Sequence, residues 1–303
     1  MPAAPDADAG GSFPVTVAHA LGETVVPGEP QRVVTLGPQS LDTVLALGVQ
    51  PAGAVLPFYT QEPLPWQQPH LDDATTLIPG APDFTPNYEA IAALDPDLIV
   101  GPDLFTMPDA YSQLSEIAPT VAYAENPQTD DWETTTRLVG TALGRTADTD
   151  RLLAELDTEV TATRDAHPGA AGRTWSLSVA TGPDGLGVLV NPQDPLAVLL
   201  GELGLRQPEG VTSLEAGPGG VAPISLEQVR AVEADLMIVV HPAPDVQEAL
   251  EGNPLFAGIP AVGGPGYLGV DLVTGTGLRT PSLLALPWSL DQLDPALAAI
   301  AEG

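Results

Sequence analysis

Apolar and polar positions alternate through "FPVTVAHALGETVVPGEPQRVVTL" around a turn signal at Gly22, which predicts a hairpin followed by a strand. In "SLDTVLALGV" the spacing changes. Leu41, Val44, Leu45 and Val49 recur at helical intervals behind Ser40, a candidate N-cap. "AGAVLPF" returns to strand. "NYEAIAALDPDLIV" then sets Ile91 and Leu94 on one helical face behind Asn87, breaks at Asp-Pro, and ends in a short apolar run suited to a buried parallel strand. "MPDAYSQLSEIAP" and "TVAYAE" repeat the helix–strand alternation. Strands and helices exchanging at such short intervals predict a parallel sheet covered by helices.

From Asp130 two helical runs follow with no strand between them, "DWETTTRLVGTALGR" and "DTDRLLAELDTEVTATRDAH". The second is long, polar along one face, and stops before Pro168. The α/β texture resumes in "TWSLSVAT", "GVLVN" and "PLAVLLGELGL", and the chain closes on the helical run "PSLLALPWSLDQLDPALAAIAEG". The second half also repeats a sentence of the first, since "SLEQVRAVEADLMIV" matches "NYEAIAALDPDLIV". Aligned on Glu89 and Glu227, Ile91 meets Val229, Leu94 meets Val232, Asp97 meets Asp235 and Leu98 meets Leu236. "TVLALGVQP" and "LLGELGLRQP" are a second echo. We expect an α/β protein of two similar Rossmann-like lobes, residues 13–145 and 169–303, joined by one long helix at 146–168. Residues 1–12, "MPAAPDADAGGS", lack the basic and apolar regions of a signal peptide and read as a flexible tether. One large α/β domain with convergent patterning is the other reading.

A chain of 303 residues can bury a large core, and 44% hydrophobic content excludes a wholly disordered one despite 34 prolines and 31 glycines. Charge changes the picture more. Forty acidic residues face nine basic ones, all arginine, for a net charge of −31. Such a surface repels phosphate backbones and anionic lipid head groups, which excludes nucleic acid as a partner. Without cysteine there is no disulfide, thiolate metal site or cysteine nucleophile. No run approaches the roughly 18 apolar residues of a membrane span. No nucleophile elbow, H-E-x-x-H or phosphate-loop motif occurs, so we expect no catalytic residues. The histidines are scattered. Only His70 and His241 are candidates for a bare metal ion, short of the set such a site needs, and no metal site is expected.

Ligands of doubly wound sheets lie beyond the carboxyl ends of the strands. Reading those ends gives Gln39, Ser40, Phe58, Asp83 and Asp103, and, as the candidate ligand-binding set, Tyr59, Trp66, Phe84, Phe105, Asn191, His241 and Arg279. Aromatic rings suit a large, partly apolar ligand, and Arg279 suits a carboxylate or an anionic chelate. Core packing or loop capping is the competing explanation for each of them.

Four segments together carry a family resemblance: "PQRVVTLGPQSLDTVLALGVQPAGAV", "YEAIAALDPDLIV", "NPLFAGIPAV" and "TPSLLALPWSLDQL". In that order, from about Phe13 to the end, they resemble the substrate-binding proteins of iron–siderophore and cobalamin ABC importers. The resemblance implies two lobes bridged by a single rigid helix, with a ferric siderophore or related large chelate held in the cleft between them. It implies a monomer with no cofactor of its own, working outside the cytoplasm and tethered as a lipoprotein through a cysteine upstream of the sequence shown. It also implies that Glu89 and Glu227 dock into arginine pockets on the two subunits of a permease dimer. The alternative for both is an ordinary solvated glutamate favoured by the helix dipole. Haem or cobalamin is the alternative cargo, with Tyr59, His70 and His241 as candidate haem ligands, and a surface binding protein outside transport is the remaining alternative. The chain departs from its hydroxamate-binding relatives at three places. Asp83 stands where they carry arginine, Phe105 where they carry tyrosine, and "GPGGVAP" lacks their cleft tryptophan. So few cations also suit a highly anionic tris-catecholate badly.

Overall fold

Each half of the sequence builds a five-stranded sheet in the computed structural model, which describes residues 11–182 and 184–302. Most of the expected tether, residues 1–10, lies outside the described residues. The chain divides into two units, Met1–Leu156 with Pro281–Ala285, and Asp157–Thr280 with Leu286–Gly303.

The first unit opens with the antiparallel hairpin β1 (Val15–His19) and β2 (Gly22–Val26). Then follow β3 (Val33–Thr35), α1 (Pro38–Ala46), β4 (Gly53–Val55), β5 (Thr76–Ile78) and α2 (Tyr88–Ala92). The unit continues through β6 (Leu98–Val100), α3 (Met107–Ser115), β7 (Thr120–Val121) and α4 (Trp132–Ala142). The strand order is β5-β4-β3-β6-β7, all parallel. Successive residues of a strand point to opposite faces, so neighbours feed different cores. Val34 and Ile99 join Ile91, Met107 and Leu114 on one side, while Val33, Leu98 and Val100 join Val44, Val121 and Val139 on the other. Because both faces are covered, the strands read as unbroken apolar runs. Strand order reverses at β3, which makes the loops after β3 and β6 the switch point of the sheet.

The long helix α5 (Thr146–Ala166) carries the chain from the first unit into the second. There follow β8 (Trp175–Gly182), β9 (Gly185–Leu189), α6 (Pro195–Glu202), α7 (Glu209–Thr212), β10 (Val221–Ser225) and β11 (Leu236–His241). The unit ends with α8 (Pro244–Glu251), α9 (Pro254–Ala257), β12 (Tyr267–Asp271), α10 (Leu272–Arg279) and α11 (Ala285–Glu302). The sheet order is β10-β9-β8-β11-β12, parallel across β8, β11 and β12 but antiparallel across β8, β9 and β10. The sequence pattern predicts a parallel sheet. The difference lies in the link from Gly182 to Gly185, far too short for a crossover. Among the described residues no helix is long and apolar enough to cross a membrane.

The repeated sentence has a structural use in each unit. Asp97, just before β6, accepts the backbone N–H groups of Gln31 and Arg32 at 2.7 and 2.9 Å, fixing the approach to β3. Asp235, just before β11, accepts the N–H and hydroxyl of Thr174, both at 2.7 Å, and so fixes the approach to β8. In each case the aspartate closes donors that the first residues of a buried strand would otherwise leave open. Segment Pro281–Ala285, expected within the second lobe, groups with the first unit. Three contacts explain this: Gln39 donates to the Pro281 carbonyl at 3.0 Å, the Ser282 hydroxyl donates to Asp42, and Leu284 packs on Leu41, Leu45 and Ala54.

Candidate functional site

Three parallel strands of the first unit end in loops that each present a phenylalanine: Phe58 after β4, Phe84 after β5 and Phe105 after β6. With Tyr59 the rings form a row of edge-to-face contacts. Centroids lie 5.6 Å apart for Tyr59–Phe58, 5.4 Å for Phe58–Phe84 and 5.2 Å for Phe84–Phe105, with interplanar angles of 88°, 85° and 89°. Such rings normally bury themselves, yet Phe58, Phe84 and Phe105 are 38%, 38% and 50% exposed. Phe84 also holds φ at +58°, a left-handed backbone that costs a bulky side chain on the order of 1 kcal/mol or more. The loop enforces it locally. Phe84 N–H donates to the Ala81 carbonyl at 2.9 Å, Asp83 accepts from Thr85 N–H at 3.1 Å, and the Thr106 hydroxyl donates to the Phe84 carbonyl at 2.7 Å. The last bond ties the loop after β5 to the loop after β6.

Two carboxylates, Asp103 half-buried and Asp42 buried, lie against the start of α1 in the same unit. Asp103 accepts the N–H groups of Gln39 and Ser40 at 2.9 and 3.3 Å, and the Ser40 hydroxyl. Its carboxylate occupies the space that a side chain on Gly37 would fill, so glycine there is a matter of room. Burial pushes the Asp103 carboxyl above the usual range, against the pull of the Ser40 hydroxyl and backbone donors. Asp42, one turn later and 1% exposed, accepts the Trp66 indole N–H at 2.9 Å, the Gln67 amide at 2.6 Å and the Ser282 hydroxyl. Burial pushes its carboxyl up to about 7 against those three hydrogen bonds, with a smaller contribution from Asp103. Trp66, expected on the ligand surface, is only 5% exposed. Its indole is the polar handle of this network, which holds the ring in the core.

In the second unit Asn191 follows β9. Its side-chain oxygen accepts Gln193 N–H at 3.0 Å, an Asx turn, and its N–H donates to the Gly220 carbonyl at 3.2 Å. Arg279, in the last turn of α10, donates to Asp194 Oδ2 through Nη2 at 2.7 Å and Nε at 3.2 Å. Asp194 in turn caps α6 by accepting Leu196 N–H at 3.1 Å, so the guanidinium is fixed and its charge is balanced. His241, at the end of β11, is 3% exposed. Its Nε2 lies 3.2 Å from the Tyr267 hydroxyl, which donates to Glu251 Oε1 at 2.8 Å. Burial lowers the His241 imidazole and raises the Tyr267 phenol, while Glu251 pulls His241 back up. His70 is exposed in the 3-10 turn Gln68–His70 of the first unit. Sequence reasoning missed Tyr267 and Glu251. Gly269, which leaves room for the Tyr267 hydroxyl, is the one trace they leave in the sequence.

Glu89 lies exposed in the first turn of α2, where Asn87 caps by accepting Ala90 N–H at 3.0 Å. Glu227 lies exposed in the first turn of the 3-10 helix Leu226–Val232. Neither takes part in an ion pair among the described residues.

Comparison with known proteins adds to this geometry. The probable siderophore-binding lipoprotein YfiY of Bacillus subtilis is 30% identical over 195 residues, 64% of this chain and 58% of that protein. The chain therefore spans less than two thirds of that relative. A periplasmic solute binding protein of Mycobacterium smegmatis has a solved structure similar at a TM-score of 0.79 and 30% identity, covering 95% of this chain and 98% of that one. Staphylococcus aureus SirA, solved in complex with staphyloferrin B, is similar at a TM-score of 0.71 and 25% identity, covering 93% and 98%. Residues 33–263 match the family described as periplasmic binding protein. With the match over that span and the likeness over nearly the whole fold, the chain belongs to the periplasmic binding protein family.

Proposed function

We propose that this protein is the substrate-binding component of an ABC importer, capturing a ferric siderophore outside the cytoplasm and delivering it to the permease. The observation that carries the reading is the aromatic row. Three exposed rings stand at the ends of parallel strands of one sheet, one of them on a left-handed backbone, where doubly wound sheets take their ligands. Support in kind comes from the relatives, one named as siderophore-binding and one solved with staphyloferrin B. Glu89 and Glu227 then serve as matched carboxylates for a two-fold partner that bears cations. The protein acts as a monomer and performs no chemistry on its cargo. It is tethered as a lipoprotein, as its Bacillus relative is named.

Quenching of tryptophan emission during titration with ferric chelates tests the cargo, and saturable binding to at least one is expected. Binding to none, together with a Soret band on adding haemin, would assign haem instead. The docking role is tested separately. A Glu89→Ala/Glu227→Ala protein should bind its chelate as before and fail to support uptake, and undiminished uptake would remove the role.

A further inference from the structure

We infer that the aromatic row selects ferric chelates carrying no net negative charge, and that Asp83 is a specificity-determining residue at its edge. The inference rests on the function proposed above and narrows its cargo. Asp83 immediately precedes Phe84 and is exposed beside it. Its carboxylate is fixed by Thr85, whose backbone and side-chain hydrogen bonds hold it below the ordinary aspartate range, so it stays ionised at neutral pH.

Among the described residues Asp83 takes part in no ion pair. The first unit has no lysine and four arginines, each engaged elsewhere. Arg32 donates to the Leu94 and Asp95 carbonyls, and Arg145 pairs with Glu29. Arg137 pairs with Glu133 and Asp150, and Arg151 with Asp148 and Glu155. None lies in the loops after β4, β5 or β6.

A chelate meeting this row therefore finds ring faces and edges, with one fixed negative charge. Ring faces carry the negative side of the aromatic quadrupole, which attracts cations, and the exposed ring area favours uncharged organic surface. Three hydroxamates balance a ferric ion, and a pendant ammonium makes such a complex cationic. Three catecholates leave the same ion with three negative charges, which the net charge of −31 repels at long range and Asp83 at short range.

The test titrates the wild-type protein with four ferric complexes: a neutral tris-hydroxamate, a tris-hydroxamate bearing an ammonium, a tris-catecholate and ferric citrate. The first two should bind at least about tenfold more tightly than the last two. Asp83→Asn keeps the acceptor for Thr85 N–H and removes the charge. It should narrow the ratio, and Asp83→Arg should narrow it further, by about tenfold or more. Tightest binding to the tris-catecholate or citrate complex overturns the inference and leaves the proposed function standing. A ratio unmoved in both variants also overturns it. Failure of all four complexes to bind removes the inference and the proposed function together.

Discussion

Replacing Asp42 by asparagine should remove most of one component of the protein's pH dependence. The carboxyl is 1% exposed, and its folded value of about 7 stands well above the ordinary 3.8. The folded state thus holds the proton more tightly than the unfolded state. Its contribution to stability is full below pH 3.8 and is lost as pH rises through 7. A gap of about 3 pH units, at ~1.4 kcal/mol for each, gives roughly 4 kcal/mol, nearly all of it falling between pH 4 and pH 8. Asparagine cannot accept from all of Trp66, Gln67 and Ser282, and one stranded donor costs about 1–3 kcal/mol at every pH. The prediction therefore concerns the slope and not the offset. Urea unfolding at pH 4, 6 and 8, followed by tryptophan emission, should show the stability of Asp42→Asn gaining roughly 4 kcal/mol on wild type from the lowest pH to the highest. Parallel pH profiles for the two proteins would refute the reasoning.

Phe84→Gly takes away a ring and a strained backbone together. Thermal melts should show stability held or raised by up to about 1 kcal/mol, while chelate affinity falls in the same preparation. Gly37→Ala drives a methyl group into the Asp103 carboxylate and should cost about 2 kcal/mol or more in denaturant unfolding. Asp235→Ala strands the Thr174 N–H at the start of β8 and should cost about 1–3 kcal/mol by the same measurement.

Sequence pattern made the repeated units legible because parallel strands covered on both faces leave short apolar runs bounded by helical spacing. "DLIVG" and "ADLMIV" carry that signature and became β6 and β11. β5, β10 and β12 carry it weakly. Leu77 and most of β12 are partly or fully exposed, and Pro223 interrupts β10, so neither periodicity nor composition marks them. The aromatic row was half legible. A rule about strand ends brings Tyr59, Phe84 and Phe105 forward, but no local pattern encodes that loops far apart in sequence set their rings in one line. The same rule brought forward Trp66 without distinguishing an exposed ring from one held inward, because the distinction depends on Asp42, distant in sequence and without a helical partner. The paired aspartates were visible as an echo, though only the structure relates them to the strands they fix.

The return of Pro281–Ala285 to the first unit bears on how this protein can be divided. Residues 1–156 expressed alone would lack the Ser282 hydroxyl for Asp42, the Pro281 carbonyl for Gln39 and the Leu284 side chain on Leu41. The N-terminal half thus lacks three of its own contacts until residues 281–285 have been synthesised. A short peptide spanning 281–285, supplied separately or fused after residue 156, is the complement such a fragment would require.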